Sequence, residues 1–333
     1  MIDRYFARLS DELRLYRAGG YSVNTVFVGG GTPSVLPLGY MTRLFGMLRD
    51  CFAFTSDAEI TVEVNPGTLT EEKVVEYKSL GINRISLGLQ SIHENEQKAL
   101  GRIHNLDDFL SAFDMLRAAG FTNIGVDLMY GIPEQTLDSF ALTLDTVISL
   151  SPEHISVYGL IVEDGTPFGN MRDTLPLPSE DEECDMYLLA CEGLARAGYR
   201  HYEISNYARL GYESRHNLKY WNCEEYIGIG AAAHSFLDGE RYGNTRSLYC
   251  IERDPEYLDD GDREYEYIMM HLRLSDGLSL SDFENRFGYS LEGRHTTVIN
   301  EYISLGLMKR DGDRLYLTER GFYVSNSILV GFL

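Results

Sequence analysis

Apolar positions Ile2, Phe6, Leu9, Leu13 and Tyr16 recur at near-helical spacing and Gly19-Gly20 closes the run, so the chain opens in a helix. Thr25-Val26-Phe27-Val28 then reads as a strand that enters Gly29-Gly30-Gly31 and stops at Thr32-Pro33. The alternation repeats. A helical segment at 38–52 precedes a strand at 59–64 ending in Asn65-Pro66-Gly67. Thr70-Glu71-Glu72-Lys73 has the form of a helix cap, that helix ends near Gly81, and a strand at 84–89 ends in Gln90-Ser91. Helical sequence at 106–119 is closed by Gly120, and a strand at 124–129 runs into Tyr130-Gly131-Ile132-Pro133. A helix at 137–150 leads to a strand at 155–160 that ends by Glu163. Strands alternating with helices of about ten to fifteen residues predict βαβ units and a parallel sheet.

In parallel α/β folds the ligand lies at the carboxyl ends of the strands. Those ends are here Gly30-Gly31-Thr32, Glu63, Gln90, Asp127 and Glu163. Some polar strand ends merely cap the next helix, and a glycine run can be no more than a tight connection. Glu63 and Asp127 stand apart, because each lies within an apolar strand where an unpaired buried carboxylate is costly. The rim therefore reads as a shared pocket, suited to the hydroxyls and amines of a nucleoside or an amino acid. The free N–H groups of the glycine turn could hold such a ligand's polar end.

Composition changes between 199 and 226, where Tyr199, Tyr202, Tyr207, Tyr212, Tyr220, Trp221 and Tyr226 crowd together with His201, His216 and, just beyond, His234. Two readings stay open: an aromatic lid packed on the sheet, or a surface that stacks a flat ligand beside a metal-ligating histidine. Gly228-Ile229-Gly230-Ala231 predicts a turn with close backbone approach. From about 262, three helical stretches and a hairpin on an Asp-Gly turn have the outline of a winged helix. The expected division is 1–170, 171–261 and 262–333.

The chain has 333 residues and a net charge of −22, which argues against a nucleic-acid backbone or an anionic membrane as partner. No apolar stretch is long enough to cross a membrane and no leader is evident, so a cytoplasmic setting is expected. The five cysteines (Cys51, Cys184, Cys191, Cys223 and Cys250) are scattered, odd in number and not in metal-clasp spacing, as suits reduced thiols.

Five motifs together resemble one family: Gly29-Gly30-Gly31-Thr32-Pro33-Ser34, Glu63-Val64-Asn65-Pro66, Arg84 through Ser91, Gly101-Arg102-Ile103-His104 and Asp127 through Pro133. The chain resembles radical S-adenosylmethionine proteins of the oxygen-independent coproporphyrinogen oxidase group, over nearly its whole length. The resemblance implies an α/β fold, a partial (β/α)6 TIM-like barrel missing its first strand, followed by the winged-helix-like module. It implies that Gly30, Gly31 and Thr32 meet the methionyl amino end of S-adenosylmethionine. Glu63, Gln90, Arg102 and Asp127 would line the rest of that cofactor, with Ile161 near its adenine. His216-Asn217-Leu218-Lys219-Tyr220-Trp221 is similar to a motif of the HemW-type heme chaperones in that group. By that likeness His216 is the candidate axial ligand of heme iron, Tyr220 and Trp221 stack on the macrocycle, and Arg215 or Lys219 pairs with propionates.

The family carries a CxxxCxxC motif for a 4Fe-4S cluster, and these cluster cysteines are absent from this sequence. A start set downstream of the true one, or a truncation, is the expected reason, and a cluster-less relative is the alternative. Loss of the first strand would bare a sheet edge and predicts poor solubility. The function implied is a heme-binding chaperone that hands heme to apo-proteins, with S-adenosylmethionine and the cluster in support. The alternative is oxidative decarboxylation of coproporphyrinogen III, and a third reading is a cofactor-free binding protein for another nucleoside.

Overall fold

A computed structural model describes residues 1–333. The first half alternates as its periodicity predicts: α1 (Ile2–Arg14), β1 (Ser22–Val28), α2 (Tyr40–Cys51), β2 (Ala53–Val64), α3 (Glu71–Ser79) and β3 (Arg84–Gln90). It continues with α4 (Glu94–Ala99), α5 (Leu106–Ala118), β4 (Ile124–Tyr130), α6 (Leu137–Leu150) and β5 (His154–Gly159). After α7 (Glu180–Arg196), the short strands β6 (Arg200–Glu203) and β7 (Asn206–Ala208) lead to α8 (Arg215–Trp221). A small antiparallel sheet follows, of β8 (His234–Leu237), β9 (Glu240–Asn244) and β10 (Arg253–Glu256). Helices α4, α7 and α8 were not expected from the sequence. The first is barely one and a half turns, too short for a period to show.

Strands β1 to β5 are parallel, and β7 and β6 extend the sheet antiparallel in the order β1-β2-β3-β4-β5-β7-β6. This curled sheet is the partial barrel. Period-two alternation splits each strand between two environments. Val62, Ile85, Leu87, Val126, Leu128 and Ile155 join Phe45, Phe109, Phe113, Phe140 and Leu144 of the outer helices in one core. The opposite face carries Thr25, Glu59, Thr61, Glu63, Arg84, Ser86, Gln90, Asp127, His154 and Ser156. A barrel filled as a plain core would put branched apolar side chains there. This one is lined for polar contact.

Helix entries are capped by side chains: Asn105, Thr136 and Ser179 each form a capping box with the residue three on. Gly81, Gly120 and Gly198 take the positive φ that ends helices α3, α5 and α7. The Gly228–Gly230 turn packs on α1 through Glu12, which is fully buried. Glu12 accepts from the Gly230 N–H (3.1 Å) and from Asn244 (2.5 Å) and pairs with Arg8 (3.2 Å). At Gly230, with φ of +109°, a Cβ would lie 2.6 Å from the Tyr5 hydroxyl, so the close approach expected there is real.

The C-terminal module contains α9 (Asp260–His271), β11 (Leu278–Ser279), α10 (Leu280–Phe287), α11 (Leu291–Ser304), β12 (Met308–Asp311) and β13 (Arg314–Leu317). Two short helices, α12 (Glu319–Tyr323) and α13 (Ser325–Val330), close the chain. Its three strands pair in the order β11-β13-β12, which matches the winged-helix outline. Tyr267, Ile268, Leu272 and Phe322 belong to the same core as the barrel strands. The Ser275 N–H donates to the Tyr202 carbonyl at 3.1 Å, and the rings of Phe322 and His201 lie 5.1 Å apart. Module and barrel are one packed body.

Candidate functional site

The triple glycine after β1 has a steric reason. A Cβ on Gly29 would sit 2.5 Å from the Phe27 ring and 2.7 Å from the Glu63 carboxyl. Gly30 adopts φ of +88° and its N–H donates to Glu63 Oε2 at 3.1 Å, so that donor is already engaged. Gly31 faces open space and is exposed, and Thr32 beside it is half-buried. Gln90 ends β3 with φ of +67°, uncommon for a side chain other than glycine, where the β3–β4 register slips. Its side chain folds back over Gly88, where a Cβ would be 2.9 Å from Nε2, and its buried Oε1 has no partner.

Asp127 stands deep in the concavity yet keeps some solvent contact. Burial pushes its pKa up, opposed by hydrogen bonds from Ser156 and Ser86 and by the charges of Arg84 and Arg102. Ser86 donates to it at 2.9 Å. Glu63 is raised as well, by burial first, with the Gly30 N–H opposing and Asp127 adding repulsion. Arg102 is half-buried with no carboxylate in ion-pair range, and burial lowers its pKa against the pull of Asp127. Two carboxylates and a guanidinium, with an unpartnered amide oxygen between, form an amphoteric site. Such a set matches a zwitterion bearing hydroxyls: cation and hydroxyls to the carboxylates and amide, carboxylate to the guanidinium. The residues present fit S-adenosylmethionine.

Not every expected rim residue is there. Glu163 lies beyond the end of β5 and is exposed, so it is not a strand-end residue of the rim. The strand ends sooner than its apolar run suggests, because Gly159 closes it. Ile161 is 79% exposed just past β5.

Helix α8 is seated in the barrel by its N-terminus. The Glu59 carboxylate on β2 accepts from the Arg215 N–H (3.1 Å) and the His216 N–H (3.0 Å), where a helix favours negative charge. Ser214 caps the same end, and its own N–H donates to the Tyr202 hydroxyl, which bonds His154 at 2.9 Å. His216 turns inward: Nδ1 is 2.9 Å from Thr25 Oγ1, Nε2 is 2.8 Å from the Tyr220 hydroxyl, and its ring stacks on Phe27 at 5.3 Å. Burial first, and the nearby Lys219 charge second, push its pKa down to about 4, so it is neutral at pH 7. Phe27 thus touches both His216 and the Gly29–Glu63 corner, joining α8 to the rim. Tyr220 is 38% exposed and meets Tyr226 edge-on at 4.6 Å, and Trp221 is half-buried.

Arg215 and Lys219 are both engaged: Arg215 donates to the Asp57 carbonyl at 2.7 Å and Lys219 pairs with Glu224 at 2.7 Å. Both therefore already have partners within the chain. No group of three His, Cys, Asp or Glu side chains is placed to hold a metal ion, so the cysteines present do not fit an iron–sulfur cluster. Sequence reasoning missed Ser86, Ser156, Glu59 and Thr25. For Ser86, Glu59 and Thr25 the signal was available, since each lies an even number of residues from a rim residue or glycine of its own segment and so shares its face, whereas Ser156 is placed only by its register opposite Asp127.

Residues 3–147 match the Radical SAM superfamily and residues 258–324 the HemN C-terminal domain. The chain is 35% identical over 342 residues to the heme chaperone HemW of Lactococcus lactis, spanning all of this chain and 90% of that one. It is 34% identical to HemW of Bacillus subtilis, over all of this chain and 92% of the relative. For HemW of Escherichia coli the figures are 36% identity, 99% of this chain and 90% of the relative. The solved structure of the radical SAM enzyme coproporphyrinogen III oxidase (HemN) from Escherichia coli superposes with a TM-score of 0.84. It covers 99% of this chain and 82% of its own, at 23% identity, which speaks for the fold alone. With full-length likeness at a third identity and the barrel, rim and C-terminal module in place, the chain belongs to the HemW heme chaperone family of the radical SAM superfamily.

Proposed function

We propose that this protein binds heme at α8 and hands it to apo-proteins, with S-adenosylmethionine on the barrel rim in a supporting role. The observation that carries the heme reading is His216, held neutral at the pH of the cell and fixed through Nδ1 to Thr25. A neutral imidazole anchored by one nitrogen is the form that ligates iron through the other. Here Nε2 holds the hydroxyl of Tyr220, which is partly exposed, so rotation of that side chain bares the ligand nitrogen. Tyr220, Tyr226 and Trp221 then supply the aromatic wall.

Gly31, Thr32 and Glu63 would take the ammonium end of S-adenosylmethionine, Gln90 and Asp127 its hydroxyls, and Arg102 its carboxylate. Bound beside a reduced cluster the cofactor is a source of radicals. The cysteines of this chain do not fit that cluster. The oxidase alternative has behind it a fold likeness and the shared C-terminal domain, while the relatives at a third identity are heme chaperones.

Hemin titration followed in the Soret region tests the heme reading. His216→Ala should lose the imidazole-ligated spectrum and at least about tenfold in affinity, as loss of an iron ligand implies. Tyr220→Phe should keep that spectrum and bind tighter by a few-fold, because one hydrogen bond of about 1 kcal/mol no longer competes for Nε2. A His216→Ala protein with unchanged spectrum and affinity would sink the assignment.

A further inference from the structure

Just past the C-terminal end of α8 lies a partly open cavity of about 40 Å³, bounded by Cys223, Phe236 and Tyr267 and by three arginines, Arg241, Arg263 and Arg286. That is room for about three waters, or for one carboxylate group. Arg241 is balanced, because it hydrogen-bonds Glu266 and lies 3.9 Å from Glu256, the two acids at this cavity. Arg263 and Arg286 have no carboxylate in ion-pair range. Arg263 donates only a long bond to the Leu258 carbonyl (3.4 Å), and Arg286 lies over the Tyr267 ring at 5.1 Å. With Arg241 they set three guanidiniums against the two carboxylates at this cavity, in a chain with 51 acidic residues against 29 basic ones. Arg241 Nε is buried and makes no hydrogen bond, with Glu256 no nearer than 3.9 Å.

The cavity is one backbone bridge away from the aromatic wall of α8. His216 bonds Tyr220, Tyr220 meets Tyr226 edge-on at 4.6 Å, and Tyr226 bridges to Phe236, which lines the cavity. Cys223, also in the lining, donates its N–H to the Tyr220 carbonyl at 3.1 Å. A flat aromatic ligand on the wall, carrying a carboxylate on a short flexible arm, meets apolar rings first and guanidiniums at the edge. Arginine's planar fork suits a carboxylate.

We infer that this cavity is a carboxylate site, and that it receives a propionate side chain of the porphyrin bound at α8. The inference rests on the heme reading above and replaces the engaged Arg215 and Lys219 as the propionate partners. It separates from that reading by experiment.

Wild-type protein and Arg263→Gln/Arg286→Gln are titrated with hemin and with hemin dimethyl ester, whose propionates carry no charge. Both arginines are exposed, so the double variant should keep the wild-type Tm. Wild type should bind hemin about tenfold tighter than the diester, the scale of a hydrogen bond to a charged group. The double variant should lose that preference while binding the diester as wild type does, with the same Soret maximum. Equal binding of hemin and diester by wild type, with no effect of the double variant, overturns the carboxylate site and leaves the heme reading standing. No Soret change with either ligand on wild type overturns the heme reading and the inference with it.

Discussion

Gly29 is the residue on which rim geometry turns. It has ordinary backbone angles, so conformational freedom does not explain it. What explains it is space: Phe27 on one side and the Glu63 carboxyl on the other leave no room for a methyl group. Gly29→Ala must push Glu63 off the Gly30 N–H or tilt Phe27 away from His216. The expected stability cost is about 1–3 kcal/mol, as for other overpacked sites. The expected effect on S-adenosylmethionine affinity, measured by isothermal titration calorimetry, is a loss of about tenfold, one charge-assisted contact. A variant that binds with wild-type affinity would contradict the assignment of Glu63 to the cofactor.

At the scale of elements, α8 is the informative case. Seven residues make a helix too short to stand alone, and its stability comes from where it is seated. Glu59 and Ser214 hold its N-terminus, and Thr25 with Phe27 hold His216. Trp221 is the single tryptophan and closes this helix, so tryptophan emission, excited selectively over the 23 tyrosines, reports on α8 alone. Glu59→Gln should cost about 1 kcal/mol, the scale of a weakened cap and lost dipole interaction. It should also shift Trp221 emission to the red and make it easier to quench with iodide. An unchanged emission maximum and quenching constant would mean that Glu59 does not anchor the helix.

For the whole molecule, the buried titratable groups set the response to acid. His201 and His216 are both pushed down to about 4, chiefly by burial, from an ordinary value near 6.5. Between those values the unfolded chain binds protons that the folded one does not, so stability is lost as pH falls from about 6.5 to about 4. Glu203 works the other way. Burial raises it to about 7, with Asn206 opposing, so its contribution is present at low pH and lost as pH rises from about 4.5 through about 7. Urea midpoints at pH 5, 6 and 7 should therefore rise more steeply in Glu203→Gln than in wild type. Parallel curves would remove Glu203 from the balance. Because Glu203 pairs with Leu274, and Ser275 with Tyr202, the barrel and C-terminal module should melt in one transition.

How much of this was legible in the chain follows from the range of the forces. Strand and helix order, caps, the outward apolar face and the acids Glu63 and Asp127 were readable, because periodicity and capping act over a few residues. The Gly228–Gly230 approach and the winged-helix outline were readable for the same reason. The sequence alone did not show that Glu163 falls outside the rim, that the Gly30 N–H is taken by Glu63, or that Arg215 and Lys219 are already paired. Nor did it reveal the arginine cavity, whose walls come from α9, α10 and three short strands. Apart from the local Lys219–Glu224 pair, those outcomes hang on contacts between residues far apart in the chain: His216 lies 191 positions from Thr25 and 157 from Glu59. Which polar side chains satisfy one another inside a curled sheet is decided only when the sheet closes, since each buried donor must find an acceptor among whatever the fold brings near.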